Sequence, residues 1–196
     1  MHPSSTAVAA PWLTSKFSPV QWASLLLGLI MLCWGTASPA AADAKLEAES
    51  KAALEQLYSQ QPIARLMSEH ASAVLVFPRI VKAGLIIGGE HGQGVLFQNG
   101  KASGHYSSTG ISYGLQAGAQ AYAYALFFMN DAALRTLDQR DGWEIGVGPS
   151  VVLIDQGMAS KLSTTTMDSD IYAYIFGQQG LMAGIGIQGS KITRLD

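Results

Sequence analysis

The hydrophobic period of the chain changes near residue 72, and this change constrains the fold more than any other feature. Before it, apolar residues recur at helical spacing; after it, short apolar or alternating runs are punctuated by glycine. Such runs are typical of β-strands. Val74–Phe77, Ala83–Gly88 and Gly94–Gln98 predict three strands in quick succession. The many strand glycines favour a strongly curved sheet, because a missing side chain permits a bulge or a close backbone approach.

A hairpin and further strands follow. Asn99-Gly100 predicts a two-residue turn, since both residues tolerate a positive φ, so Gly94–Gln98 should pair with Lys101–Ser107. Tyr122, Tyr124 and Leu126 should share one face of a long strand. The rest of the strand set covers Gln116–Met129, Trp143–Ile154, Asp170–Phe176, Leu181–Gln188 and Lys191–Leu195. The polar stretch Ser163–Thr166 predicts an exposed loop.

Three helices are expected. Ala44–Gln60 carries an apolar stripe on one face and predicts an amphipathic helix, and Pro62 begins a second, short helix through Met67. Asn130 is suited to cap a third helix over Asp131–Gln139. Hairpin-length connections dominate between the strands, which argues against a parallel α/β sheet. The predicted class is α+β: a curved, mainly antiparallel sheet, with closure into a barrel left open, and helices packed against it.

The N-terminus predicts export. Residues 1–20 hold one cation, Lys16, and no acid, and Val20–Trp34 is an apolar block too short for an ordinary membrane span. Ala40-Ala41-Ala42 follows as a small-residue cleavage signal, so residues 1–42 are predicted to be a secretory signal peptide. The only cysteine, Cys33, lies inside that segment after Leu32 and is assigned to its apolar region. An uncleaved anchor is the alternative.

Composition narrows the function further. After residue 42, 11 Lys and Arg face 14 Asp and Glu, since Lys16 is the only one of the 12 basic residues before it. The chain has no long basic run, which argues against nucleic acid as a partner. About 154 residues remain after cleavage, enough for one domain with a core of its own. That domain should be soluble or peripheral to a membrane.

Three motif-like patterns carry little chemistry. Gly184–Gly189 spells a dinucleotide-binding pattern but has no room for the required helix, and Gly88–Gly94 is interpreted as a loop or bulge rather than a phosphate cradle. Gly110–Gly114 matches the nucleophile elbow around Ser112, yet no histidine follows it in the chain. Glu90, His91 and His105 follow no established metal-ligand spacing. We therefore predict no catalytic residue, no metal and no cofactor, with a Ser112 esterase as a remote alternative.

Several segments, in the same order, resemble the SYLF domain family. They are Ala73–Gly94, Gly94-Val95-Leu96, Gly114–Gln120, Gly146–Pro149, Asp170–Tyr174 and Gly180–Gly189. The resemblance covers roughly residues 60 to 196. Together with the predicted signal peptide (1–42) and N-terminal amphipathic helix (43–60), it makes residues 61–196 a SYLF-like lipid-binding domain.

The resemblance implies phospholipid binding, with the N-terminal helix helping membrane contact, and no enzymatic activity. Some eukaryotic members regulate actin, which an exported protein of bacterial type would not meet. Arg79 and Lys82, which flank Ile80-Val81, are the candidate contacts for lipid phosphate; the alternative is that they only solvate a strand edge. The expected partner is a phospholipid or membrane surface, and the expected location is the periplasm or the cell exterior. A second hypothesis is an envelope scaffold that binds proteins through sheet edges or exposed aromatic residues such as Trp143, Tyr122 and Tyr124.

Overall fold

A computed structural model of the chain describes residues 39–85, 87–113, 118–154, 167–180 and 189–195. The helices are α1 (Pro39–Gln60), α2 (Pro62–His70) and α3 (Asp131–Leu134), and a 3-10 helix over Arg135–Asp138 continues α3. The strands are β1 (Ala73–Gly84), β2 (Ile87–Gln98), β3 (Lys101–Tyr113), β4 (Gly118–Phe128), β5 (Trp143–Glu144), β6 (Val151–Ile154), β7 (Ile171–Gly180) and β8 (Lys191–Arg194). The predicted helices all form.

The strands build one sheet of eight in the order β5-β8-β3-β2-β1-β4-β7-β6. Every neighbouring pair is antiparallel except β6 and β7, which run parallel. The predicted α+β class and mainly antiparallel sheet are confirmed. Within the described part of the chain the sheet keeps two edges, β5 and β6, so it forms half of a barrel rather than a closed one.

Strong curvature follows from the connection between the two edges. A flat sheet of eight strands would separate β5 from β6 by about 34 Å, at about 4.8 Å per spacing. Only seven steps of chain join Glu144 to Val151, and they span about 25 Å at most. A side-chain hydrogen bond shows the same curl. The hydroxyl of Tyr124 on β4 donates to the hydroxyl of Ser108 on β3 at 2.7 Å, although β1 and β2 lie between these strands in the sheet. We call the face inside this curl the inner face.

Turn and cap chemistry behave as predicted. Asn99 and Gly100 have φ values of 51° and 74°, and Gln98 pairs with Lys101, as a two-residue hairpin requires. The Asn130 side chain accepts a hydrogen bond from the Ala133 amide at 2.8 Å and so caps α3. The helix predicted from this cap to Gln139 is α-helical only to Leu134 and continues as a 3-10 helix.

Two predictions around Pro78 are wrong. Val74–Phe77 and Ala83–Gly88 are not two strands, because β1 runs unbroken from Ala73 to Gly84 and turns near Leu85. The register against both neighbours shifts around Pro78, so a bulge accommodates the residue that cannot donate to the ladder. Gly88–Gly94 is also not a loop. It lies within β2, where a Cβ on Gly92 would come 2.5 Å from Ile80 Cδ1, so close packing requires this glycine.

The single strand predicted over Trp143–Ile154 is wrong as well. It is two short strands, β5 and β6, at opposite edges of the sheet. Gly146 and Gly148 lie between them with φ values of 101° and 92°, a conformation that side-chain-bearing residues rarely adopt. These glycines end the strand and let the chain cross the open side of the half-barrel.

Each face of the sheet buries its own apolar cluster. The inner cluster includes Leu75, Phe77, Tyr124, Phe128 and Trp143 and is completed by α3 and the 3-10 helix. On the outer face, α1 and α2 cover a second cluster with residues such as Leu57 and Met67. No helix of the described residues is long and apolar enough to cross a membrane.

Some sequence predictions lie outside the described residues. They concern the signal peptide up to residue 38, the Ser163–Thr166 loop, the Leu181–Gln188 strand and the first five residues of Gly184–Gly189.

Candidate functional site

The end of the sheet where β1 turns into β2 exposes apolar side chains. Val81, Leu85, Ile87 and Ile111 are 45%, 70%, 63% and 71% exposed. They are four of the seven large apolar side chains that the described residues leave exposed. We call these four residues the hairpin patch.

Strand register places the patch on the outer face. Val81 pairs with His91 and Gly89 with Ile111, and because alternate residues share a face, Val81, Ile87 and Ile111 project to the same side. The helices cover this face elsewhere and leave it bare here. A group of exposed apolar side chains at one end of a sheet makes that end a candidate interaction site.

The two predicted phosphate contacts do not meet. Arg79 is exposed on the outer face, two residues from Val81, whereas Lys82 projects to the inner face and is only 5% exposed. Arg79 borders the hairpin patch, and Lys82 belongs to a different environment. Arg79 and Lys82 therefore do not form a single headgroup site. A role for either residue in lipid binding stays a prediction.

Lys82 lies in a row of buried polar residues that crosses the inner face. Gln120 on β4, Lys82 on β1 and Glu90 on β2 are direct cross-strand neighbours. All three are buried. Gly110 continues the row on β3, and a Cβ there would lie 2.8 Å from Glu90 Oε1, so the glycine leaves room for the carboxylate.

Hydroxyl groups hold the Glu90 carboxylate. The Tyr122 hydroxyl donates to Glu90 Oε2 at 2.8 Å, and the Ser190 hydroxyl donates to Glu90 Oε1. Burial raises the pKa of Tyr122 far above its ordinary value, with the charge of Glu90 and their hydrogen bond adding to the effect. Burial likewise raises the pKa of Tyr124. Both phenols therefore stay protonated and act as donors, Tyr122 to Glu90 and Tyr124 to Ser108.

The other two members of the row are Gln120 and Lys82. Gln120 Oε1 is buried without a donor from the described residues, and none of the salt bridges among the described residues includes Lys82. Sequence reasoning missed this row because it placed separate strands on either side of Pro78. The pairing of Lys82 with Glu90 and with Gln120 depends on the register of three strands, which the sequence does not report.

The metal-ligand candidates are dispersed. Glu90 is on the inner face and His91 is exposed on the outer face, while His105 Nε2 lies 3.4 Å from Glu47 Oε1 of α1. Within the described residues, no group of three His, Cys, Asp or Glu side chains is placed to hold a metal ion.

The backbone around Ser112 is a strand. Ser112 lies in β3 and pairs with Gly88, as expected for a glycine-rich strand or turn. The next described element is another strand, β4, so the strand-to-helix turn of a nucleophile elbow is not found among the described residues.

The aromatic residues assigned to a protein-binding surface are not exposed. Trp143, Tyr122 and Tyr124 are all buried on the inner face, and Phe128 packs on Trp143 with 6.0 Å between the ring centroids. This part of the scaffold hypothesis is wrong, because the curl of the sheet turns these rings inward.

Two clefts of about 390 and 370 Å³ lie beside the end of α1. The larger is lined by residues including Leu57, Leu153 and Tyr174, and the other by residues including Tyr58, Val74 and Phe97. Neither includes a residue of the hairpin patch or of the buried polar row.

Part of the chain matches a known protein family. Residues 109–196 match the model of the Ysc84 family, described as Las17-binding protein actin regulator. This segment is similar to the Ysc84 (SYLF) family. The Ysc84 match confirms the resemblance seen in the sequence and includes Ile111, Gln120, Tyr122 and Ser190, whereas Lys82 and Glu90 precede it. No curated protein matches the chain with significant sequence similarity.

Proposed function

We propose that this chain is an exported, non-enzymatic phospholipid-binding protein that acts at a membrane surface of the cell envelope. The observation that carries the proposal is the hairpin patch. Burying one large apolar side chain contributes about 1.5–3 kcal/mol, so insertion of several supplies affinity without strong charge attraction. That suits a chain with a slight excess of acidic residues.

Arg79 supports an anionic bilayer as the partner. It is exposed beside Val81 on the same face, so it can meet headgroups while the patch enters the apolar region below them. A cation near an anionic surface contributes about 1 kcal/mol. We therefore propose Arg79 as the outer headgroup contact.

The hairpin patch is a better membrane contact than α1. The apolar stripe of that helix is already used, because Leu54, Leu57 and Tyr58 are buried against the sheet. Membrane insertion of the stripe would require α1 to detach and expose the outer cluster. The patch needs no such rearrangement.

Export is compatible with the position of α1. Cleavage after Ala42 would remove the first residues of the helix, which are exposed, and would leave the buried residues Ser50, Leu54, Leu57 and Tyr58 in place. An intact-mass measurement on protein from the envelope fraction should give a chain that begins at Asp43 without acylation. A lipid on Cys33 would contradict this form of export.

A vesicle-binding assay tests the membrane contact. The double variant Leu85→Ser/Ile87→Ser in the full-length chain should bind vesicles of phosphatidylcholine and phosphatidylglycerol at least tenfold more weakly, since 1.4 kcal/mol is tenfold in affinity. Leu195→Ser is the matched control, because Leu195 is also exposed but lies beyond β8, away from the hairpin. Equal loss in both variants, or none in either, would exclude the patch as the lipid contact.

The alternative is an envelope scaffold that binds a protein. Edge strand β6 favours it, since Leu153 on this strand is partly exposed. A protein partner that binds at β6 would be lost in Leu153→Ser and retained in Leu85→Ser/Ile87→Ser, the opposite of the lipid result. A Ser112 esterase predicts that Ser112→Ala abolishes turnover of short-chain esters, which we expect the wild-type chain not to show.

A further inference from the structure

Acidic residues are unevenly distributed over the two ends of the outer face. Strands β1 to β4 contain one acidic residue, Glu90, and it projects to the inner face. Helix α1, which covers the other end of the outer face, contains four: Asp43, Glu47, Glu49 and Glu55. The outer face of β1 to β4 therefore presents no carboxylate of its own to an anionic surface that meets the hairpin patch.

His91 lies beside the hairpin patch. It is exposed on the outer face, directly across from Val81 of the patch. Arg79 pairs with Gln93, two residues along β2, so Arg79 and His91 are diagonal neighbours on this face. The Cα atoms of such neighbours are about 7–8 Å apart. Arg79 and His91 can therefore contact headgroups of the same membrane surface.

The charged groups around His91 on the outer face are mostly basic. Lys191 on β8 occupies the same cross-strand row and is exposed. Glu144 on β5 is three strands away, about 14 Å along the sheet. Glu47 of α1 meets the sheet at His105, whose row lies four residues, or about 13 Å, along β2. Both carboxylates are farther than the screening length of about 8 Å at physiological salt.

We propose that His91 is a proton-dependent headgroup contact, which together with Arg79 binds the phosphodiester group of an anionic lipid. The inference rests on the proposed membrane function and adds the regulation of that surface by pH. Histidine gains its positive charge between about pH 8 and about pH 5. The neutral ring offers one N–H donor and no charge, whereas the protonated ring offers two donors and a positive charge. Affinity for an anionic bilayer should therefore rise as the pH falls.

Vesicle binding by the full-length chain at about pH 7.5 and about pH 5.5 tests the proposal. Vesicles of phosphatidylcholine and phosphatidylglycerol are suitable, because the phosphodiester of phosphatidylglycerol stays anionic at both values. One additional cation near an anionic surface strengthens binding about fivefold. Wild type should therefore bind about fivefold more tightly at the lower pH. Vesicles of phosphatidylcholine alone should show no such change.

Two substitutions of His91 should have opposite effects. His91→Gln should bind at both pH values as wild type binds at the higher one, and His91→Lys should bind at both as wild type binds at the lower one. His70→Gln is the matched control, because His70 is an exposed histidine at the end of α2, and it should keep the full pH dependence. Arg79→Gln should weaken binding about fivefold at both pH values.

The outcomes separate this proposal from the membrane function on which it rests. Equal affinity of wild type at the two pH values would overturn the role of His91, as would a pH dependence that persists in His91→Gln or disappears in His70→Gln. Leu85→Ser/Ile87→Ser should lose binding at both pH values, and undiminished binding by that variant would overturn the hairpin patch as the lipid contact. A wild-type chain that binds no vesicles at either pH would overturn both.

Discussion

Val74, Val76 and Val81 lie on the outer face of the same strand and have different surroundings. Helices α1 and α2 cover the first part of β1, so Val74 and Val76 are buried, whereas Val81 beyond the bulge is left 45% exposed. Strand alternation decides which face a valine occupies, but the reach of the helices decides whether water meets it. The described residues leave the apolar surface around Val81 uncovered, as the proposed membrane contact requires.

The largest expected effect comes from truncating a buried side chain at the end of the sheet that α1 and α2 cover, which we call the covered end. Leu57→Ala removes a fully buried side chain from the outer cluster and should lower the free energy of unfolding by about 2–5 kcal/mol. Leu85→Ala, at the bare end, should change it by no more than about 0.5 kcal/mol, as exposed positions do. Urea denaturation measures both. Similar losses of unfolding free energy in the two variants would show that the hairpin patch is part of the core. They would contradict the difference between the two ends of the sheet.

Removal of a single tyrosine hydroxyl on the inner face should lower the free energy of unfolding. Tyr122→Phe removes a hydrogen bond to the Glu90 carboxylate and should cost about 1.5–3 kcal/mol, while Tyr124→Phe removes one to the neutral Ser108 hydroxyl and should cost about 0.5–1.5 kcal/mol. Urea denaturation of the two variants provides the ranking. The reverse ranking would mean that Glu90 does not depend on Tyr122.

The smallest effect concerns a polar network at the covered end. The Asn130 side chain, followed by the backbone and side chain of Ser150, lowers the pKa of Asp170 by hydrogen bonding to its carboxylate. Because the pKa is lowered in the folded state, the ionised carboxylate stabilises the fold at pH values above its ordinary pKa of about 3.9. This stabilisation is lost as the pH falls towards the folded-state pKa. Asp170→Asn should therefore flatten the acid side of the stability profile below about pH 4. An unchanged slope in acid denaturation would contradict this.

Local signals in the sequence predicted local structure well. Asn99-Gly100 specified its hairpin and Asn130 its cap because both depend on backbone geometry within a few residues. Pro78 misled because a bulge, which depends on both neighbouring strands, let β1 continue through it. The sequence predicts a strand through Gly146 and Gly148 for a similar reason. No local pattern indicates that β5 and β6 lie at opposite edges of the sheet.

The candidate sites divide in the same way. Period-two alternation alone places Arg79 and Lys82, three residues apart, on opposite faces, so their separation was available from the sequence. The row of Gln120, Lys82 and Glu90 was not, because it requires the register of three strands. The hairpin patch depends on where the helices stop, which sequence periodicity does not report.

The central claim is that lipid meets the bare end of the outer face and not the helix-covered end. It is tested most directly by an environment-sensitive fluorophore on a cysteine at Ile87 or at Gln56, an exposed position of α1, in a Cys33→Ser background. On addition of anionic vesicles, the Ile87 label should shift to shorter emission wavelength and become accessible to a lipid-phase quencher, while the Gln56 label stays in water. A shift at Gln56 without one at Ile87 would contradict the account and assign the membrane contact to α1.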